Sequence, residues 1–169
     1  MLKETDKKGG NGMRRKDREI TERAEIRSIL ERAKILRLGL NDETRPYVVP
    51  LHYGFSWEGA LPCFYIHCAK EGRKLALLRR DPRVFVEIDT GETPVSGGDV
   101  PCRYGALYEC VMCEARAVIL PEGEEKAEAL AVLMKTQTGR DFAIDERAAA
   151  AVCVVALRAE TLSAKARRE

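Results

Sequence analysis

No apolar run in the chain approaches the roughly 20 residues needed to cross a bilayer, and Met1-Leu2-Lys3-Glu4-Thr5-Asp6 lacks the apolar core of a signal peptide. Net charge is almost missing too. The 29 Lys and Arg against 27 Asp and Glu leave only +2, which makes no electrostatic case for nucleic acid. The one basic cluster, Arg14-Arg15-Lys16, is diluted by Asp17 and Glu19 and reads as a solvated arm. There is no Gly-x-Gly-x-x-Gly stretch, so the sequence carries no fingerprint for a tightly held dinucleotide on a βαβ unit. These absences predict a cytoplasmic protein with neither membrane nor nucleic acid as partner.

Six cysteines are present. In a chain without a secretory signal they read as free thiols, buried small apolar residues or metal ligands. Cys110-Val-Met-Cys113 has the spacing of a zinc pair but sits in a strand-like run, where positions three apart point to opposite faces; Cys63 and Cys68 fail by the same parity. The expectation is no metal.

The most informative stretch is Phe64-Tyr65-Ile66-His67-Cys68-Ala69-Lys70-Glu71-Gly72-Arg73-Lys74-Leu75. It reads as strand, tight turn and helix, a junction that offers free backbone N–H groups, the positive end of a helix dipole and two cations to a phosphate. The same residues also suit an ordinary turn with solvated cations. Strand alternation places His67 with Cys63 and Tyr65, opposite Phe64, Ile66 and Cys68, so an apolar core on the second face turns His67 toward a cleft.

The rest of the chain supplies the frame. Residues 1–12, ending in Gly9-Gly10-Asn11-Gly12, read as a flexible extension to a domain over 13–169. Thr21 is the expected N-cap of a helix with Ile26, Ile29, Leu30 and Ala33 inward. Residues 35–40 and 47–55 form a hairpin in which Pro50 implies an edge or a bulge. A helix from about Gly72 stops at Asp81-Pro82, Val84–Asp89 is a strand, and Gly91–Arg103 reads as a loop. A long strand over 107–120 precedes a helix over 124–138, with Ala127, Leu130, Leu133 and Met134 inward. Asp145 caps one further turn, residues 152–157 form a buried last strand, and a polar tail follows. Six or so mostly antiparallel strands with helices between them predict a barrel-like α+β domain.

Arg45-Pro-Tyr-Val-Val-Pro-Leu51, the stretch 64–75, Asp81-Pro-Arg-Val84 and Tyr108-Glu-Cys-Val111, in that order, resemble the pyridoxamine 5′-phosphate oxidase-related flavoproteins, in the branch that includes nitroimidazole-resistance proteins. The resemblance covers about Met13 to Lys165. It implies a dimeric, mostly antiparallel split β-barrel that binds FMN at the subunit interface. The implied cofactor contacts are Val48, Val49, Pro50 and Leu51 along the isoalloxazine; Ile66, His67, Cys68 and Ala69 near the ring and ribityl chain; and Lys74, with Arg73, at the phosphate. Cys110, where the family usually has serine, lines the same cleft or comes from the partner; Cys68 also replaces a common serine.

On this resemblance the protein is an FMN-dependent oxidoreductase, passing electrons from a reduced donor to a small planar acceptor such as a nitroaromatic compound, with His67 as proton donor. The alternative is a flavin- or haem-binding protein without turnover, with His52 or His67 available to iron. A deazaflavin in place of FMN stays open.

Overall fold

A computed structural model describes residues 13–168; the extension expected over 1–12 lies outside them. The elements are β1 (Glu19–Ile20), α1 (Arg23–Arg32), β2 (Ile35–Leu40), β3 (Tyr47–His52), β4 (Gly54–Ser56), β5 (Cys63–Cys68), α2 (Arg73–Arg80), β6 (Arg83–Val95), β7 (Gly105–Ile119), α3 (Glu124–Thr138), α4 (Glu146–Ala149), β8 (Cys153–Ala159) and β9 (Ser163–Arg167). Every pairing is antiparallel, in the order β3-β2-β6-β7-β8-β5-β4. The two end strands, β3 and β4, are consecutive in the chain and separated only by Tyr53, so the sheet curls round on itself. This is the α+β arrangement expected of a split barrel.

The split lies on β7. Its residues 108–112 pair with β9, whereas 115–119 pair with β8, and β6 pairs along the other edge from Gly105 to Arg116. Inside the barrel, Leu36, Leu38, Phe64, Ile66, Ile88 and Leu157 are fully buried. Burying each such side chain contributes about 1.5–3 kcal/mol relative to exposure. The stripe Ile26, Ile29 and Leu30 packs α1 over β6 and β7, and Leu30 accepts a 2.7 Å hydrogen bond from the buried Tyr53 hydroxyl. On the outer face, α3 covers β4, β5 and β8, with Ala129, Val154 and Ala156 buried between them. Burial on both faces explains why β8 is apolar without alternation.

Several boundaries differ from expectation. Glu22 stands at the N-cap of α1 in place of Thr21, with no side-chain cap. The strand expected over 47–55 breaks at Tyr53, whose ring turns into the core. Pro50 sits on the edge strand with unbroken register opposite Arg37, and the irregularity falls instead between Thr90 and Thr93. The first five residues of the loop expected over 91–103 are the far end of β6, which pairs out to Val95↔Gly105, and the remaining eight form the connection. The polar tail contains β9, with Ala164 and Ala166 buried. In α3, Ala129 and the half-aliphatic Lys126 are buried ahead of Leu130 and Met134, and Lys126 ends on the Glu122 carboxylate at 3.0 Å. Asp145 caps α4 as expected, accepting from the Ala148 N–H at 2.7 Å.

Candidate functional site

β5 ends where α2 begins, and the turn between them creates the candidate site. Gly72 takes φ 130°, a backbone conformation that L side chains rarely adopt, and no side chain caps the helix it starts. The first N–H groups of α2 are thus left for a ligand or water, and Lys74, half-buried, rises beside them.

Phe64 and Ile66 are fully buried, so alternation turns the next residue outward and His67 is exposed. His52, at the end of β3, reaches the same place. Its Nδ1 lies 3.1 Å from Gln137 Oε1 and 3.2 Å from the Lys34 carbonyl, both acceptors, so Nδ1 carries the proton and Nε2 is the open nitrogen. Gln137 is itself fixed by donating to the Tyr53 carbonyl at 2.7 Å, so the last turn of α3 orients His52.

Although the residue as a whole is exposed, partial desolvation of its ring first, then His52, then Lys74 hold the His67 imidazole below its ordinary value. Three groups that carry or accept positive charge therefore meet at an uncapped helix N-terminus. Among the described residues neither His67 nor Lys74 has an ion-pair partner. Such a place favours an anion.

Arg73 is engaged elsewhere. It donates to Asp42 at 2.5 Å and lies 4.4 Å from the Tyr47 ring centroid, and Asp42 also faces Arg80 at 3.5 Å. The Arg73 guanidinium, hydrogen-bonded to it, holds the Asp42 carboxyl below its usual range. Of the two expected cations, only Lys74 stands free.

The other expected residues divide. Val48 and Pro50 are exposed on β3, whereas Val49 and Leu51 alternate inward and pack on the core. Ile66 cannot offer its side chain to a ligand, because it is buried inside the barrel; this corrects the expected contact. Its backbone has one open side, since β4 pairs only with residues 63–65 of β5. Ala69 is exposed in the turn and Cys68 is half-buried beside it.

Cys110 lies on the other half of β7, within the stretch that pairs with β9, and within one chain it does not join the others. Its thiol donates to Glu87 at 3.4 Å and is pushed up to about 12 by burial and that carboxylate. Sequence reasoning missed Gln137 and Asp42, whose parts depend on contacts 85 and 31 residues away along the chain.

Protonating His67 works against folding. Its folded value lies below the ordinary 6.5, so the penalty is absent above that value and grows as pH falls through it toward the lower folded one. Urea midpoints measured from pH 7.5 to 5 are expected to fall less steeply in His67→Gln than in the native chain; equal slopes refute the assignment.

A family model described as pyridoxamine 5′-phosphate oxidase matches residues 22–166. Among solved structures, a candidate 5-nitroimidazole antibiotic resistance protein from Bacteroides thetaiotaomicron superposes with TM-score 0.74 at 28% identity, over 88% of this chain and 86% of that one. A flavocytochrome from Azotobacter vinelandii gives 0.74 at 18%, over 94% and 73%. A FAD and haem binding protein from Mycobacterium smegmatis gives 0.73 at 15%, over 90% and 74%. The last two likenesses show the fold alone. No curated protein matches. Among the described residues, no helix is long and apolar enough to cross a membrane.

Proposed function

We infer the function from one premise: this chain belongs to the pyridoxamine 5′-phosphate oxidase family. It binds a flavin, FMN, and works as an oxidoreductase between a reduced donor and a small planar acceptor. The observation that carries this reading is the meeting of His52, His67 and Lys74 at the uncapped start of α2, a site whose charge fits a phosphate. Lys74 and the first N–H groups of α2 hold that phosphate. The outer face of β3, with Val48 and Pro50, offers a wall for a flat ring.

A bound flavin supplies two-electron transfer. His67 then holds a proton for the acceptor, and a phosphate beside it draws its depressed value back toward neutrality. Nitroaromatic compounds are the acceptors to assay first, given the relative at 28% identity. Mass spectrometry of the ligand released by denaturing the purified protein tests the reading: FMN supports it, and a chain purified with no flavin and unable to bind added FMN refutes it.

Carriage of flavin or haem without turnover is a second reading. The observation in its favour is the pair of imidazoles, His52 and His67, close enough to depress the His67 value. A haem Soret band in place of flavin absorption selects it.

A homodimer completes the proposal. Val48, Gly39 and Phe85 lie opposite one another in one row across β3, β2 and β6; Val48 is 56% and Phe85 45% exposed, with only a glycine between them. A cleft of about 450 Å³ opens at the Gly39–Phe85 end of this row, bounded by Arg83 and Glu114. A second copy covers that apolar face and brings the Cys110 half of β7 toward a neighbouring site. Light scattering is expected to give twice 18.9 kDa at micromolar concentration; the single mass alone refutes it.

A further inference from the structure

The β5–β8 ladder sets Cys68 directly opposite Cys153. Residues opposite each other in an antiparallel pair share a sheet face, so both side chains lie on the face of Phe64 and Ile66. None of the other four cysteines has such a partner. Cys63 faces Ser56 and Arg158, Cys110 faces Asp89 and Lys165, Cys113 faces Val86, and Cys102 is exposed in a short turn.

The backbone fixes the type of pair. Leu120 N–H donates to the Val154 carbonyl at 3.0 Å and Ala159 N–H to the Pro62 carbonyl at 3.2 Å, so Val154 turns its backbone toward β7 and Ala159 toward β5. Alternation then turns Cys153 toward β5, which makes Cys68–Cys153 a hydrogen-bonded pair with Cα atoms about 5.5 Å apart. A disulfide spans Cα separations of roughly 4.4–6.8 Å, and needs the Cβ atoms about 1–2 Å closer than the roughly 5.5 Å at which a hydrogen-bonded pair holds them. That movement is available. Cys68 is the last residue of β5 and Cys153 the first of β8, so turns adjoin both.

We propose that Cys68 and Cys153 form a reversible disulfide, a thiol-modification site on the strand end that presents His67 and leads into the helix carrying Lys74. Cys68 is the attacking thiol: it is half-buried against a nearly closed Cys153, and Lys74 pulls its value down while burial, the larger effect, pushes it up. With a hydroperoxide as oxidant, the Cys68 thiolate takes one peroxide oxygen and the O–O bond breaks, which leaves a sulfenic acid and water or an alcohol. The Cys153 thiol then attacks that sulfur; the S–S bond forms, the S–O bond breaks, and the hydroxyl leaves as water with the thiol proton. A small dithiol reverses the step by exchange.

The inference is independent of flavin binding, and its test reads only the thiols. The reduced full-length protein is treated with hydrogen peroxide at mildly alkaline pH, its remaining thiols are alkylated, and the peptides are mapped. The expected result is a loss of two hydrogens and one cross-linked peptide joining Cys68 to Cys153, restored to two thiols by dithiothreitol. In Cys153→Ala, a dione probe is expected to trap the Cys68 sulfenic acid. Alkylation of both cysteines after peroxide, or a link from either to another cysteine, overturns the proposal on the native chain alone, whether or not the variant folds.

Discussion

Lys74→Ala is expected to weaken FMN binding about tenfold to a hundredfold, because a cation hydrogen-bonded to a phosphate contributes roughly 1.5–3 kcal/mol. Lys74 carries this effect alone for a geometric reason. The neighbouring Arg73 is held by Asp42 at 2.5 Å and by the Tyr47 ring, so a ligand must draw it out of one ion pair to gain another. Arg73→Ala should therefore cost less than Lys74→Ala, and Asp42→Asn, which releases Arg73, should tighten binding. The fold is not at issue, since α2 is anchored by the buried Leu75, Leu77 and Leu78 on its other side. Flavin fluorescence titration of the refolded apoprotein measures the effect. Unchanged affinity in a folded Lys74→Ala variant sinks the phosphate assignment.

Gly54→Ala is expected to be strongly destabilising for a change of one methyl group. A Cβ built on Gly54 would stand 2.3 Å from the Leu133 Cα, 2.5 Å from its nitrogen and 2.8 Å from the Val132 carbonyl carbon, all backbone of α3. No rotamer relieves a clash with backbone, so α3 must lift from β4. Overpacking of this kind costs about 1–3 kcal/mol where side chains can adjust, and the upper end or beyond applies here. The site should feel it too. Gln137, which orients His52, is on the same helix, so a lifted α3 loosens His52 and the pH dependence of stability changes with it. Chemical denaturation of the variant checks the first effect, and a loss below about 1 kcal/mol contradicts the close approach of α3.

Most of the fold was legible because its elements advertise a period. The stripe Ile26, Ile29, Leu30 gave α1, the two-residue alternation around Phe64 and Ile66 gave β5 and the outward His67, and Pro50 marked an edge. What escaped notice was weakly apolar or set by distant contacts. β9 alternates only alanines, Ala164 and Ala166, whose small area gives little signal, and it is held by pairing with β7 more than fifty residues away. The far end of β6 is rich in Gly, Pro and Thr, which locally read as a loop, yet β7 zips along it to Val95. The closeness of His67, Ala69 and Lys74 was visible in one short stretch, because strand, turn and helix follow one another there. Asp42's hold on Arg73 was not, because charge pairing across elements leaves no mark on sequence spacing.

The division of β7 between two partners bears on how the molecule comes apart. One strand supplies backbone to β9 with its first half and to β8 with its second, while β6 pairs along all of the first half and into the start of the second, at Ala115 and Arg116. Neither half-sheet can open without stripping hydrogen bonds from a strand that the other half still needs. The two halves are therefore tied into one cooperative unit, and β7 should exchange its amide hydrogens only through global unfolding, whereas β1 and β4 exchange through local opening. The same sharing delays assembly. The β2–β3 hairpin closes early from local contacts, but β7 cannot complete both ladders until β8 and β9 have been synthesised and brought back across loops.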